Sequence, residues 1–592
     1  MNNEKTENTE TADEGKKCFV ITMKLRPTKE QYSFITKWIA NATLLYNVLC
    51  ARVLDEFKKM FENEKFRDCW NYGWQFRKLG KLRAVLKKIE GREEKSKEDV
   101  ESLETLPGEI KKLEDQLAFV HDEYFPDKPE DKVYTAAYKE AMKFISSWVI
   151  NEPEQAAFGY RPCTFSKFGF IGLEGSILQN AEVDGQKISD NGVNSGMGAA
   201  IAERLWQAWE KKFAFENFGK PVFIHEKDRP LYSVKFKNNC GLSHDIQNRT
   251  ITFRFKDGGD KLSFVVPYRF GRKNRPDLYI EEALERCGKA PIHTAIVGKQ
   301  IGPTLDYFVQ FTVPGLPPSK GHKLGTGKCG LDLGPEFITA ENGRFVRKWH
   351  LRNPKNLVEE ITDLQIRMDE DDRRNNPENY DESGVPKKGC RNKHSPEYEK
   401  LRAKLAYAKF RLVEFRKNEH GRMIREVMEL GHDFVTEKDP VKEWQERLDE
   451  PEGPLGSKAN YGAEIGMSAP AEFITRLEKK ITDLGGTLRR VPCDIACTQF
   501  DHTNSSFTKR SVAERTFRLS DGTEVDQDAI AAYNLRHAND EFVMVGKGRA
   551  AKPAKVPENF DVAAMKRDYA DFLDAQAKWR RAWEMEKARS EA

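Results

Sequence analysis

The sequence contains no uninterrupted apolar run of about 18 residues, so no transmembrane helix is expected. Its first seventeen residues (MNNEKTENTETADEGKK) lack an apolar h-region, so no secretory signal is expected either. An excess of charge of one sign is also missing. The 98 Lys and Arg against 94 Asp and Glu leave a formal net charge of +4, which excludes a uniformly basic, histone-like coat but not local basic patches. The ten cysteines form no C-x2-C pair and no tight even spacing, so reduced thiols in a soluble, cytosolic chain are expected, not a disulfide framework. The close pair Cys493 and Cys497 would have to recruit His502 and His537 to complete a zinc site, a weak ligand set. No internal repeat is present. The 592 residues suffice for several domains.

What is there falls into three regimes. Residues 1–17 read as a disordered tail. An alternating strand (Cys18, Val20, Thr22, Lys24) follows, and Pro27-Thr28 starts a helix with one apolar face through Phe34, Trp38, Ala42, Leu45, Leu49 and Val53. Residues 77–120 read as a charged helical hairpin broken at Pro107-Gly108, and Ile201, Leu205, Trp209 and Phe213 stripe a further helix near 197–214. After Pro221 the pattern alternates. Ile251, Phe253 and Phe255 join Leu262, Phe264 and Val266 through Asp257-Gly258-Gly259-Asp260, a hairpin signature, and Tyr307 to Val313 adds a strand. If strand 18–24 belongs to that sheet, the helices of 28–214 are an insertion into a small β-barrel.

The third regime starts at Cys329. CGLDL (329–333) reads as a buried strand, and Phe337 to Val346 as a hairpin around Asn342-Gly343. Helix dominates 355–432. DFVTE is a strand ending at Glu437, a helix covers 470–484, Gly485-Gly486 turns the chain, Thr487 to Val491 form a strand, and DQDAIAAYNLRHA (526–538) opens a helix. Strand, hairpin, helix, strand, helix, strand, helix is the order of an RNase H-type α/β sheet.

Three acids stand where those elements end. Asp332 closes a strand expected to be buried on both faces, where an unpaired carboxylate costs several kcal/mol and calls for a cation or a hydrogen-bond network. Glu437 ends a second strand, and Asp528 lies in the first turn of the last helix, where Asp526 is the other candidate for the N-cap. With no basic partner in the local sequence, three convergent carboxylates suit magnesium, and two such ions about 3.5–4 Å apart serve phosphodiester hydrolysis. Gly325-Thr326-Gly327-Lys328-Cys329 is not a phosphate-binding loop: the first glycine is missing, Cys329 replaces Ser/Thr, and a strand follows it.

GLDLGPEFITAENGRFV (330–346), FVTEKD (434–439) and DQDAIAAYNLRHA (526–538) resemble the three split RuvC motifs of TnpB nucleases and type V CRISPR effectors. The third departs at Ile530, where the family usually has Asn. Residues 21–53 resemble the TnpB opening, in which a strand and Pro-Thr-x-x-Gln lead into a helix bearing Tyr-Asn, and 373–389 resembles the segment between the first two motifs of larger members. The resemblance touches most of the chain except 60–195 and the C-terminal tail.

It implies a bilobed, multidomain α+β protein. A wedge or oligonucleotide-binding β-barrel (18–27 and 216–320) would carry a helical recognition lobe (28–215). A RuvC-like nuclease domain (321–497 and 525–545) would contain the basic segment 387–430, and a charged tail (546–592) would follow. The insert 498–524 would be a degenerate zinc ribbon, because the family's four cysteine positions read His502, Ser505, Leu519 and Gly522, so no structural zinc is expected.

The resemblance further implies Asp332, Glu437 and Asp528 as catalytic acids holding two magnesium ions, with guide RNA and target double-stranded DNA as partners. No membrane partner, one or two copies per guide, and a prokaryotic or phage-encoded cytoplasmic setting, CRISPR or transposon-derived, go with it. Candidate nucleic-acid contacts are Lys24, Arg26, Tyr46, Asn47, Arg391, Lys393, Arg402, Lys409 and Arg416, with Arg515 or Arg518 reaching the scissile phosphate. From Lys387 to Arg425 thirteen Lys/Arg face four Glu, and Leu401, Leu405, Ala408 and Leu412 mark a buried stripe, so the opposite face suits the phosphates of an RNA–DNA duplex. Trp70 and Trp74 are candidates for base stacking, Trp38 for core packing. A guided binder that silences by occupancy and a guide-independent RuvC-type nuclease are the rival readings.

Overall fold

The computed structural model describes residues 17–91, 97–150, 163–180, 182–183, 185–213, 223–224, 233–236, 241–270, 277–287, 291, 293–301, 304–319, 321–334, 336–351, 354–382, 384–387, 389–438, 461–508, 515–545 and 552–591. The expected N-terminal tail lies outside them, save its last residue. The chain divides into two compact units, Met1–Lys299 with Asp306–Gly315, and Gln300–Leu305 with Leu316–Ala592. Among the described residues no helix is long and apolar enough to cross a membrane.

The first unit is a seven-stranded sheet with helices inserted after its first strand. That strand, β1 (Cys18–Leu25), leads through Thr28 into α1 (Lys29–Met60). Thr28 and Gln31 exchange side-chain to backbone hydrogen bonds, a capping box that satisfies the first free amides of the helix. The following helices are α2 (Glu64–Glu90), α3 (Lys97–Tyr124), α4 (Glu130–Ser147), α5 (Lys167–Asn180) and α6 (Ser195–Phe213). Strands β2 (Ser233–Phe236), β3 (Leu242–Asp245), β4 (Thr250–Asp257) and β5 (Asp260–Arg269), helix α7 (Leu278–Cys287), and strands β6 (His293–Ile301) and β7 (Thr304–Pro314) complete it. The strand order is β2-β6-β7-β1-β5-β4-β3, so β1 does share a sheet with strands more than two hundred residues away. Trp38 is buried as expected and packs against Phe253 and Phe255 of β4.

The barrel expectation is not met among the described residues, and one expectation about the helices is corrected. The end strands β2 and β3, four residues each, do not pair among the described residues, so closure into a barrel is not seen. The helical hairpin does not break at Pro107, because α3 runs through it. Proline costs its helix a hydrogen bond there, but Ile110, Leu113, Leu117 and Val120 remain buried at steps of three and four, each worth about 1.5–3 kcal/mol.

The second unit is built on a five-stranded sheet of β8 (Lys328–Leu333), β9 (Phe337–Glu341), β10 (Val346–His350), β11 (Asp433–Glu437) and β12 (Thr487–Val491). The order is β10-β9-β8-β11-β12, antiparallel through the hairpin and parallel from β8 to β12. Helices α8 (Lys355–Asn375) and α9 (Pro396–Met428) form a hairpin with its own core, Leu357, Ile361, Leu364 and Met368 against Leu401, Leu405, Ala408 and Leu412. The stripe anticipated on α9 is therefore its buried face. Helices α10 (Tyr461–Ser468) and α11 (Pro470–Asp483) precede β12, and the short strands β13 (Thr516–Arg518) and β14 (Glu524–Asp526) lead into α12 (Gln527–Arg536).

The segment expected to be a charged tail ends in α13 (Val562–Glu591) and belongs to a core. Met565, Phe572 and Ala575 are buried with Ile530, Tyr533 and Phe500. Charge dominates its composition, but Met565, Tyr569, Phe572, Trp579 and Trp583 recur at steps of three, four and seven and form one stripe.

Candidate carboxylate centre and nucleic-acid face

Strand register brings two of the three acids together. In the parallel β8–β11 ladder Leu331 pairs with Thr436, so Asp332 and Glu437 are the next residues in line at the carboxyl ends of neighbouring strands. Neighbouring strands lie about 4.7–4.9 Å apart and residues in line share a face. The row continues outward: Asp332 pairs with Thr339, and Thr339 pairs with Lys348.

Helix α12 crosses that face against the direction of β8. Lys328 Nζ, at the start of the strand, lies 3.5 Å from Ala538 O just past the end of the helix. Gly330 sits beneath the helix backbone, where an added Cβ would be 1.8 Å from Ala532 O, so only glycine permits this approach. The first turn of α12, with Asp528, therefore comes to the Asp332 end of the strand. Asp526 takes the N-cap, its Oδ1 accepting from the amides of Asp528 and Ala529 at 3.0 Å each. Capping thus leaves the Asp528 side chain for other work. The far end of the helix is pinned by Arg536, whose Nε donates to the buried Glu341 at 2.6 Å.

Cys497 closes the centre from the other side. Its amide donates to Glu437 Oε1 at 3.2 Å, while Asn534 Nδ2 of α12 donates to the carbonyls of Cys497 (2.8 Å) and Phe500 (2.9 Å). Burial raises the Glu437 pKa above the ordinary carboxylate value, and hydrogen bonds from the Cys497 thiol and amide only partly offset it. Burial likewise drives the Cys497 thiol well above its usual range, reinforced by Glu437 and Asp332, so Cys497 is a thiol here and not a thiolate.

Asp528 is not without a basic partner, which corrects the expectation drawn from its local sequence. Lys348 Nζ lies 2.5 Å from Asp528 Oδ2 and 3.5 Å from Asp526 Oδ2, and the lysine side chain is only 7% exposed. Arg515 Nη1 stands 3.8 Å from Asp528 Oδ1. The ammonium lies 4.8 Å from the ring centre of Phe337 and 5.7 Å from that of Trp579 on α13, so aromatic faces wall it in. Sequence reasoning missed Lys348, Thr339, Cys497 and Trp579. The hairpin register around Asn342-Gly343 was the signal that would have placed Lys348 in line with Asp332.

As the side chains stand, three carboxylates shared by two magnesium ions do not fit, because Asp528 already carries an ammonium. Among the described residues no group of three or more His, Cys, Asp or Glu is arranged to hold a metal ion. Asp332 and Glu437 are hard oxygen donors at the ends of adjacent strands, the ligand type that magnesium takes.

In the insert, the four positions equated with cysteines fall on two turns joined by a carboxylate. Asp501 accepts from Thr503 N (2.9 Å) and Oγ1 (2.6 Å), and from Ser520 N and Oγ (2.8 Å each). His502 is buried against Tyr533 and Tyr569, and burial lowers its pKa to about 4. His537 is bonded to Tyr533 O and Asp568, and Cys493 is exposed while Cys497 is buried.

The anticipated nucleic-acid contacts divide. Arg26, Arg391, Lys393, Arg402, Lys409, Arg515 and Arg518 are exposed. Three candidates are corrected. Tyr46 is buried, so its ring presents no stacking face. Asn47 is spent on backbone, exchanging hydrogen bonds of 2.7 and 2.8 Å with Ile224. Arg416 is held by Glu472 at 2.9 Å and by Met467 O at 3.0 Å. Lys24 is ion-paired with Asp306. Along α9, Lys417 pairs with Glu414 at 2.9 Å and Arg422 with Glu419 and Glu426, while Arg411 reaches Glu360 of α8 at 3.0 Å. Trp74 is half exposed, and Trp70 is partly buried beside Phe57.

No protein-family model and no curated protein matches the chain. Among solved structures it is similar to the protein of a Cas12f1–sgRNA–target DNA complex, at 12% identity and a TM-score of 0.39 over 88% of this chain and 99% of that one. It is also similar to that of a CRISPR-Cas12f ternary complex, at 10% identity and a TM-score of 0.23 over 70% of this chain and 88% of that one.

Proposed function

We propose that this chain is an RNA-guided DNA effector of the type V kind, with a RuvC-like nuclease centre at Asp332, Glu437 and Asp528. The reading rests on this chain's own residues. The observation that carries it is the placement of Asp332 and Glu437 in line on adjacent parallel strands, with the first turn of α12 brought to them by Gly330. Guide pairing would supply sequence specificity, and the exposed cations before and along α9 would hold the duplex by its phosphates. The first unit would serve as wedge and recognition lobe and the second as nuclease lobe. Magnesium bound at Asp332 and Glu437 would supply charge stabilisation of the scissile phosphate.

The test is plasmid cleavage with co-purified RNA as guide and magnesium present. Asp332→Ala should abolish cutting and keep guide-dependent binding of the target. Undiminished cutting by that variant refutes the assignment, and absence of co-purified RNA favours a guide-independent nuclease.

A second reading, a guided binder that silences by occupancy, is favoured by one observation, the buried Lys348–Asp528 ion pair. Target bound but never nicked by the parent protein would select it.

A further inference from the structure

We infer that the Lys348 ammonium is a resident cation of the carboxylate centre, standing where a second divalent ion would sit, so that the centre takes one divalent ion and not two. This rests on the proposed carboxylate centre. A magnesium ion ligated by Asp528 Oδ2 would lie about 2.0–2.1 Å from that oxygen, the space that an ammonium 2.5 Å away already fills. Lys348 cannot withdraw cheaply. It is 7% exposed, lies between the rings of Phe337 and Trp579, and faces Asp526 as well as Asp528. Swinging it away would leave two largely buried carboxylates without it, Asp526 with the amides of Asp528 and Ala529 and Asp528 with the long Arg515 contact at 3.8 Å.

The same side chain is tied to the row by backbone geometry. Lys348 is in line with Thr339, and Thr339 with Asp332, so the ammonium approaches Asp528 from the far side of the row relative to Glu437. Asp332 and Glu437 then form the divalent position, and Lys348 with Asp528 the monovalent one. A fixed ammonium offers charge but no exchangeable water ligand, so it would supply electrostatic stabilisation alone.

The inference is tested by counting Mn2+ ions bound to the full-length protein, by calorimetric titration and by loss of the free-ion paramagnetic resonance signal. The parent should bind one ion, Lys348→Met should bind two, and Asp332→Asn should bind none. Asp528→Asn should still bind one, because Asp528 is not a ligand in this arrangement. This arm does not depend on whether Lys348→Met folds. Two ions in the parent overturn the inference and leave the carboxylate centre standing. No ion in either the parent or Lys348→Met overturns both.

Discussion

Glu174→Gln is a substitution whose effect has a definite sign and size. Glu174 lies on α5, 2% exposed, and its Oε1 has no hydrogen-bond partner among the described residues. It faces Gly198 of α6, where an added Cβ would be 1.7 Å from that oxygen. Burial pushes its pKa from 4.5 up to about 8, because nothing in the site replaces the hydration that a carboxylate loses. At neutral pH the folded chain holds a carboxylic acid and the unfolded chain a carboxylate. The stability this group contributes is therefore whole below pH 4.5, declines as pH rises through the window, and is gone above about 8. Each pH unit inside the window costs about 1.4 kcal/mol, or roughly 3 kcal/mol by pH 7.

Glutamine keeps the shape and does not ionise. Relative to the parent, Glu174→Gln should gain about 3–4 kcal/mol in unfolding free energy between pH 5 and pH 8, whatever constant offset its buried amide adds. Urea titrations followed by tryptophan emission read this directly, since Trp206 and Trp209 stand on the helix that carries Gly198. A parent–variant difference that stays flat from pH 5 to 8 refutes the reasoning, for it would mean that the carboxylate is ionised in the fold and compensated there.

Much of the architecture is written in local pattern. The Thr28/Gln31 cap, the Asp257–Asp260 hairpin, the Asn342-Gly343 turn and the α9 stripe each depend on residues within about one or two turns of one another. The Asp332 and Glu437 ends are legible for the same reason, since a buried apolar strand that stops at an acid can be seen in five residues. What was not legible depends on register and on faces. Lys348 meets Asp528 through two strand pairings and a helix crossing, none of which composition encodes. Tyr46 and Asn47 sit on a helix whose apolar face extends to Tyr46, and whose neighbouring Asn47 is claimed by a backbone segment 177 residues away. Pro107 marks a helix end by propensity, yet four buried side chains beyond it outweigh one missing hydrogen bond. The last helix was hidden by its charge, although its step of three and four was present throughout.

Two further perturbations test how the centre is held. Asp501→Ala removes four hydrogen bonds to a buried carboxylate and should cost about 3–5 kcal/mol, while a zinc-selective chelator, with magnesium kept in excess, should leave parental melting unchanged. Burial raises the Asp501 pKa, but those hydrogen bonds outweigh it and hold it below the ordinary value, so its stabilisation persists above pH 3.8 and is lost as pH falls through the depressed value. Melting that drops with that chelator would show that a zinc ion, and not Asp501, joins the two turns. Gly330→Ala asks whether α12 lies directly on β8. Its Cβ would meet Ala532 O at 1.8 Å and Arg536 N at 2.7 Å, both backbone atoms that no rotamer change can move aside. The helix must lift or the strand must bow, at about 3 kcal/mol or more. Either movement shifts Asp528 relative to Asp332, because both lie within two residues or about one helical turn of the contact. Melting should fall, and Mn2+ binding at the Asp332–Glu437 side should weaken less than in Asp332→Asn, since those two residues keep their strand register. An alanine variant with parental melting would mean that the helix does not rest on this strand.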